Sequence, residues 1–201
     1  MIEGLDVSRE TLDKLKHFES LVIKWTSKIN LIAKGTVDDV WDRHILDSVQ
    51  IWETAPENWL HWVDIGSGGG FPAIPIACIA SEKVRDGRFT LIESDQRKGA
   101  FLRTAARELD LNVKVISDRI EKADPQNADV LSARALASLT DLLGFAERHL
   151  SPAGICLFQK GKNANQEISD AKTDWVFDYN STPSITDPEA SLISIKGFKR
   201  V

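Results

Sequence analysis

Two helical patterns open the chain. Leu12, Leu15, Val22, Trp25 and Ile29 recur at steps of three, four or seven behind Ser8, whose hydroxyl suits a helix N-cap. Val37, Val40, Trp41, Ile45, Val49 and Trp52 form a second apolar stripe, with Thr36 placed to cap it, and the Ala-Pro-Glu-Asn run at 55–58 ends the pattern. From residue 60 the text changes, and short β-rich runs alternate with longer helical patterns. Strands are predicted at 60–65, 88–93, 113–117, 129–132 and 154–159, with helices between them at 72–83, 97–110, 138–150 and 162–172. This alternation, with short connections, predicts a parallel sheet covered on both faces. Two further strands, 175–182 and 191–196, are separated only by a Pro-containing loop, the spacing of an antiparallel pair. The expected fold is therefore α/β, a mixed seven-stranded sheet finished by an antiparallel strand. Residues 1–58 form an N-terminal helical extension on a core of residues 59–201, together one compact domain.

Composition adjusts this picture only in places. A chain of 201 residues suffices for one domain with its own core. Its N-terminus has no basic segment followed by an apolar run, so no signal peptide is expected, and the apolar run around 74–80 is too short to span a bilayer. Cys78 and Cys156 lie in apolar segments without a Cys-x-x-Cys pairing, as expected of buried, reduced thiols in a cytoplasmic protein. Four scattered histidines give no metal-site spacing, and no metal is expected. The net charge of −5 argues against coating nucleic acid through bulk positive charge. Local basic groups remain: Arg97, Lys98, Arg103 and Arg107 in one predicted helix, and Lys160 and Lys162 flanking a glycine.

The chemistry concentrates between Trp62 and Pro72. Here a buried-looking strand runs into Asp64-x-Gly66-x-Gly68-x-Gly70, followed by Phe71 and Pro72 at the start of a predicted helix. Glycines allow positive φ and let the backbone approach a ligand closely, and the free N–H groups of a helix start favour polar or anionic groups. This is the architecture of a nucleotide-type cofactor loop. The Gly-x-Gly-x-Gly spacing differs from the Gly-x-Gly-x-x-Gly of a dinucleotide-binding unit, which weakens a nicotinamide reading. Glu93, at the end of the second predicted strand, is placed to accept hydrogen bonds from both hydroxyls of a ribose. Asp64, a carboxylate inside an apolar strand, needs partners, and loop N–H groups or a cofactor amine are the nearest candidates.

Acid, glycine loop, second acid and antiparallel finish together resemble the class I S-adenosylmethionine (SAM)-dependent methyltransferases. The text is more closely similar to one of their families, RsmG or glucose-inhibited division protein B, the bacterial small-subunit rRNA guanine-N7 methyltransferases. The resemblance runs from Trp25 to about Gly161. It rests on Trp25-x-x-x-x-Asn30-Leu31, His44-x-x-Asp47-Ser48, the glycine loop ending in Phe71-Pro72, Arg97-Lys98-x-x-Phe101-Leu102, Arg119-Ile120-Glu121, Ser132-Ala133-Arg134-Ala135 and Lys160-Gly161. It implies a Rossmann-like class I fold and SAM as cofactor. Gly66, Gly68, Gly70, Phe71 and Glu93 would hold SAM, with Ile120 and Glu121 after the third strand and Arg134 after the fourth. Phe71 stands where the family usually has Leu, Ala73 where it commonly has Gly, and Arg97-Lys98 where it commonly has Lys-Arg.

The implied reaction is methylation of N7 of a specific guanine in 16S rRNA, within the small subunit or an assembly intermediate, by a cytoplasmic monomer. N7 carries an unprotonated lone pair and loses no proton on methylation, so such an enzyme needs positioning more than a general base. The chain has no Ser/His/Asp or Cys/His constellation, and Ser132-Ala133-Arg134-Ala135 stands where enzymes methylating exocyclic nitrogens carry Asn-Pro-Pro-Tyr. Arg134 is expected to contact the cofactor and organise the target nucleotide; its plainer role is an ion pair with Glu121 or Asp129. Arg97, Lys98, Arg103, Arg107, Lys160 and Lys162 would contact RNA phosphates. His44 and Asp47, three apart on one helix face, are either a structural pair or a part of the RNA-facing mouth. Two alternatives stand beside this reading: a small-molecule methyltransferase on the same scaffold, and a non-catalytic protein that binds SAM or RNA.

Overall fold

The computed structural model describes residues 6–201, so the first five residues of the expected 1–58 extension lie outside the described residues. Helix α1 (Arg9–Thr26) is capped as its sequence predicts, Ser8 Oγ accepting from Thr11 N at 3.1 Å. It ends at Thr26, so Ile29 falls in the following loop. The second expected helix is a chain of short turns instead: a 3-10 turn at Lys34–Thr36, a π-helical stretch at Trp41–Leu46, one α turn at Asp47–Val49 (α2) and a 3-10 turn at Gln50–Thr54. Thr36 does not cap it. Its hydroxyl donates to the Ala33 carbonyl at 2.9 Å and faces His44 Nε2 at 2.9 Å.

The sheet holds all seven expected strands: β1 (His61–Ile65), β2 (Arg88–Ile92), β3 (Val113–Ile116), β4 (Ala128–Arg134), β5 (Leu150–Lys160), β6 (Trp175–Pro183) and β7 (Ser191–Arg200). Their order across the sheet is β3-β2-β1-β4-β5-β7-β6. The first five strands pair in parallel, and β7 lies antiparallel between β5 and β6. Every residue of β1 is buried, as expected of a strand covered on both faces.

Helices α3 (Ala73–Lys83), α4 (Gln96–Glu108), α5 (Leu139–His149) and α6 (Ala164–Ala171) cover the sheet. The first eight residues of α3 are all buried, so that helix is apolar all round rather than amphipathic. One core cluster joins α3 and Phe101 and Leu102 of α4 to Leu15, Phe18 and Val22 of α1. The other lies under α5 and α6. The N-terminal helix therefore shares a core with the sheet, which fixes the turns that follow it at the sheet's carboxyl edge.

Candidate active site

From β1 the chain winds outward to β2 and β3 on one side, and β4 and β5 continue on the other. The winding reverses between β1 and β4. The carboxyl ends of strands at such a switch point are where open α/β sheets bind ligands, in the crevice the connections leave there. The glycine loop leaves β1 at that point, and Arg134 is the last residue of β4. Gly66, Gly68 and Gly70 all have left-handed backbone, with φ of 63°, 52° and 86°. They serve different ends. A methyl on Gly66 would collide with the Leu136 side chain, and one on Gly70 would lie 2.8 Å from Ile74 Cγ1. Around Gly68 the nearest atom is the Gly66 carbonyl at 3.7 Å, so that position is open.

Glu93 directly follows β2 and binds this loop. Its Oε2 accepts the Gly68 N–H and its Oε1 the Asp95 N–H, both at 2.8 Å. Among the described residues the Asp64 carboxyl takes no N–H group of the loop. It is 1 % exposed, and its Oδ1 accepts from Ser132 Oγ at 2.5 Å, which in turn accepts from Trp62 Nε1 at 2.8 Å. Oδ2 is buried without a partner among the described residues. Burial is the main cause pushing this carboxyl up to about 7, against the lowering effect of its hydrogen bonds.

Arg134 anchors the opposite wall. Its expected ion-pair partners are elsewhere: Glu121 is exposed in the turn after β3, and Asp129 Oδ2 accepts the Leu60 and His61 N–H groups at 2.9 Å each. The guanidinium instead reaches the N-terminal turns. Nη2 donates to the Arg43 carbonyl at 3.2 Å and to His44 Nδ1 at 2.7 Å, and Nε lies 3.7 Å from Asp47 Oδ2. Its carbon sits 5.8 Å from the centre of the Phe71 ring. Phe71 is buried between Phe18, at 5.2 Å, and His44, at 5.1 Å, and so joins α1 to this cluster.

Asp47 is the hub. Its Oδ1 accepts from Gln50, Ser184 and Thr186 at 2.6, 3.0 and 3.2 Å, and its Oδ2 from Gln159 at 2.7 Å. His44 and Asp47 are thus brought together with Arg134, which settles them as parts of one polar cluster. Sequence reasoning missed Gln159, Ser184 and Thr186. Gln159 is a polar residue next to the end of the apolar strand β5 and shows a local signal; the other two lie in a turn and show none.

The hydrogen bonds fix the charge state of His44. Arginine only donates, so Nδ1 is an acceptor, and Thr36 spends its proton on Ala33, so Nε2 carries the hydrogen. Burial first, then Arg134 and Arg43, lower its pKa to about 4. The unfolded chain therefore binds the extra proton between about pH 6.5 and 4, and the stability this histidine contributes above pH 6.5 is lost as pH falls toward 4, by about 3 kcal/mol. Asp64 works with the opposite sign, its raised pKa costing stability as pH rises from about 4 to 7. His44→Gln keeps an acceptor and a donor but does not titrate. In urea melts its stability deficit relative to the parent should shrink on going from pH 7 to pH 4.5, and a constant deficit would refute the assignment.

The other expected residues separate. Ile120 is buried in the core under α5, its carbonyl accepting from His149 Nε2 at 2.9 Å. Glu121 lines a different cleft, with Asp141, Arg148 and Trp175, which the glycine loop does not reach. Arg97, Arg103, Arg107 and Lys162 are exposed and Lys98 half-buried. Arg103 donates to Ser117 Oγ at 2.8 Å. Lys160 is a correction: its ammonium is buried, 2.5 Å from Glu167 Oε2 and 2.7 Å from the Ala137 carbonyl, so it braces the segment after β4 and does not face phosphate. Among the described residues no cluster of His, Cys, Asp and Glu has the makings of a metal site, and no helix is long and apolar enough to cross a membrane. Both cysteines are buried, and burial pushes the Cys78 thiol up to about 12.

A family model described as rRNA small subunit methyltransferase G matches residues 11–192. Curated proteins named ribosomal RNA small subunit methyltransferase G are similar over nearly the whole chain. The one from Ruegeria sp. (strain TM1040) is 53% identical over 197 residues, 98% of this chain and 96% of the relative. The one from Cereibacter sphaeroides (strain ATCC 17025) is 52% identical over 199 residues, 99% and 96% of the two chains. Among solved structures, a SAM-dependent methyltransferase from Aquifex aeolicus aligns with a TM-score of 0.62 at 14% identity, covering 88% of this chain and 97% of that one. The M. jannaschii TYW2 structure in complex with AdoMet aligns at 0.59 and 16% identity, covering 88% and 80%. At these identities the structural likeness shows the fold, that of the class I SAM-dependent methyltransferases.

Proposed function

This chain belongs to the rRNA small subunit methyltransferase G family, and on that premise we propose that it methylates N7 of one guanine in 16S rRNA. It is a SAM-dependent rRNA methyltransferase. The residues at the crevice fit that cofactor. The loop glycines hold left-handed backbone, and the space at Gly68 is one a ligand would share with no side chain. Each Glu93 oxygen accepts one backbone N–H and keeps capacity for a ribose hydroxyl. When bound, SAM supplies a methyl on cationic sulfur: the N7 lone pair forms the new N–C bond as the C–S bond breaks toward sulfur, and no proton is released.

The protein's part is to hold the two reactants in line and keep water out. Gly66, Gly68, Gly70 and Glu93 hold the cofactor, with Phe71 behind it, while Arg134 touches the cofactor's edge and orients the target base. Arg97, Lys98, Arg103, Arg107 and Lys162 meet phosphates, with Arg43 at the cavity mouth in place of Lys160. The enzyme acts as a cytoplasmic monomer on the small subunit or an assembly intermediate. The observation that carries this reading is the juxtaposition of the Glu93-bound glycine loop with Arg134 across the β1/β4 crevice. It is tested by labelled-methyl transfer from SAM to small ribosomal subunits and to naked rRNA from a strain lacking this gene. Label at guanine N7 is expected; label confined to a small metabolite would overturn the substrate.

A further inference from the structure

A cavity of about 470 Å³ lies beside Arg134, between the N-terminal turns, the ends of β4 and β5, and the turn joining β6 to β7. That volume is ample for one nucleotide base. Two buried atoms of its lining residues stand apart: Arg134 Nη1 and Gln159 Oε1 have no hydrogen-bond partner among the described residues. An unsatisfied donor and an unsatisfied acceptor in one small site are each costly and call for an explanation.

They are also neighbours. Arg134 and Gln159 are register partners at the carboxyl ends of β4 and β5, so their side chains share a face of the sheet. The surrounding bonds fix which atoms are left over. Gln159 Nε2 donates to both the carbonyl and the Oδ2 of Asp47, at 2.8 and 2.7 Å, which turns Oε1 the other way. Arg43 and His44 occupy Nη2, and Asp47 faces Nε, which leaves Nη1. The cluster around Asp47 thus presents one donor beside one acceptor.

We infer that Arg134 Nη1 and Gln159 Oε1 read the O6/N1–H edge of the target guanine. Guanine offers an acceptor, O6, next to a donor, N1–H. Adenine offers the reverse, an amino donor next to the N1 acceptor, and would set donor against donor and acceptor against acceptor. Reading this edge leaves N7, on the far side of O6, free to face the methyl group. Such a site discriminates by leaving its own buried polar groups unpaired with the wrong base, the strong form of selectivity. Both atoms are shielded from solvent, so the base enters by displacing part of the wall. The segment after Arg134 adjoins them and bends at Ala135, a non-glycine residue with φ of 50°.

The inference rests on the guanine reading above, and its test separates the two. Small subunits are reconstituted with 16S rRNA carrying guanosine, inosine or 2,6-diaminopurine riboside at the methylated position. Inosine keeps O6, N1–H and N7 and should be methylated within about tenfold of guanosine. Diaminopurine keeps N7 and the 2-amino group but reverses the read edge, and should fall by about 100-fold or more in kcat/KM. Gln159→Leu should lose about 10–100-fold on guanosine with its SAM affinity unchanged, and its guanosine preference over diaminopurine should narrow at least about tenfold. Diaminopurine methylated nearly as well as guanosine, or a variant that keeps its preference, would overturn the inference. If Gln159→Leu does not fold, the base series on the parent enzyme decides alone. Absence of transfer even to guanosine-bearing subunits would instead refute the proposed function.

Discussion

Arg134→Ala should lower kcat for methyl transfer by about 10²–10³-fold while SAM affinity changes by less than about tenfold. Among the described residues the side chain is the single hydrogen-bonding bridge from β4 to the Arg43–Asp47 turns, and its removal leaves the target base without its fixed donor. The fold should survive, because Asp47 keeps hydrogen bonds from Gln50, Gln159, Ser184 and Thr186. The cost to stability is then about 1–3 kcal/mol, mostly from the Arg43 carbonyl and His44 Nδ1 left without a donor. Arg134→Lys should not rescue the rate. An ammonium is a point donor and does not serve a carbonyl, an imidazole and a carboxylate at once in the geometry of a planar fork. Single-turnover transfer, with calorimetric titration of SAM and a thermal melt, separates these terms. Near-normal turnover in Arg134→Ala would remove Arg134 from the reaction.

Gly70→Ala should be strongly destabilising, well beyond Gly68→Ala in the same loop. At φ of 86° any side chain is strained, and the new methyl would lie 2.8 Å from Ile74 Cγ1, 3.1 Å from Phe18 Cζ and 3.2 Å from Leu102 Cδ2. These three residues come from α3, α1 and α4, so relief in one direction presses on another. Strain and overpacking together cost about 3–5 kcal/mol, which lowers Tm by roughly 10 °C in a chain of this size. Gly68→Ala is the control: its φ of 52° carries similar strain, but the nearest atom is 3.7 Å away. It should cost only about 1–2 kcal/mol while still impairing SAM binding. Equal losses of Tm at the two positions would contradict this division between a packing glycine and a ligand-facing one.

Strands such as β1 and β2 were legible because parallel strands buried on both faces read as mostly apolar runs between turn residues, and all seven expected strands are present. The turns after α1 were not. Val40 and Ile45, both buried, are five apart, the spacing of a π-helical turn, and a search at 3.6 residues per turn smooths this into one helix. Arg134 was legible by its place at a strand end, whereas its partners were sought nearby in sequence and lie about ninety residues earlier. Lys160 and Lys162 look alike in the text. One ends a buried strand and meets Glu167 once α6 has folded back, and the other is exposed. A charge in a sequence names a possible phosphate contact, and only the tertiary partner decides whether it is free.

The turn that carries Ser184 and Thr186 has a consequence for time as well as space. Asp47 meets Thr186 across 139 positions of chain, and that turn joins β6 to β7, the strand that ties β6 to β5. During synthesis the N-terminal turns are laid down early, with Asp47 awaiting donors that emerge much later. Contacts of such separation form late and together, since loop closure must precede them. The polar cluster around Arg134 is thus complete only once the C-terminal strands have joined the sheet, and copies in which they have not carry only a fragment of the site.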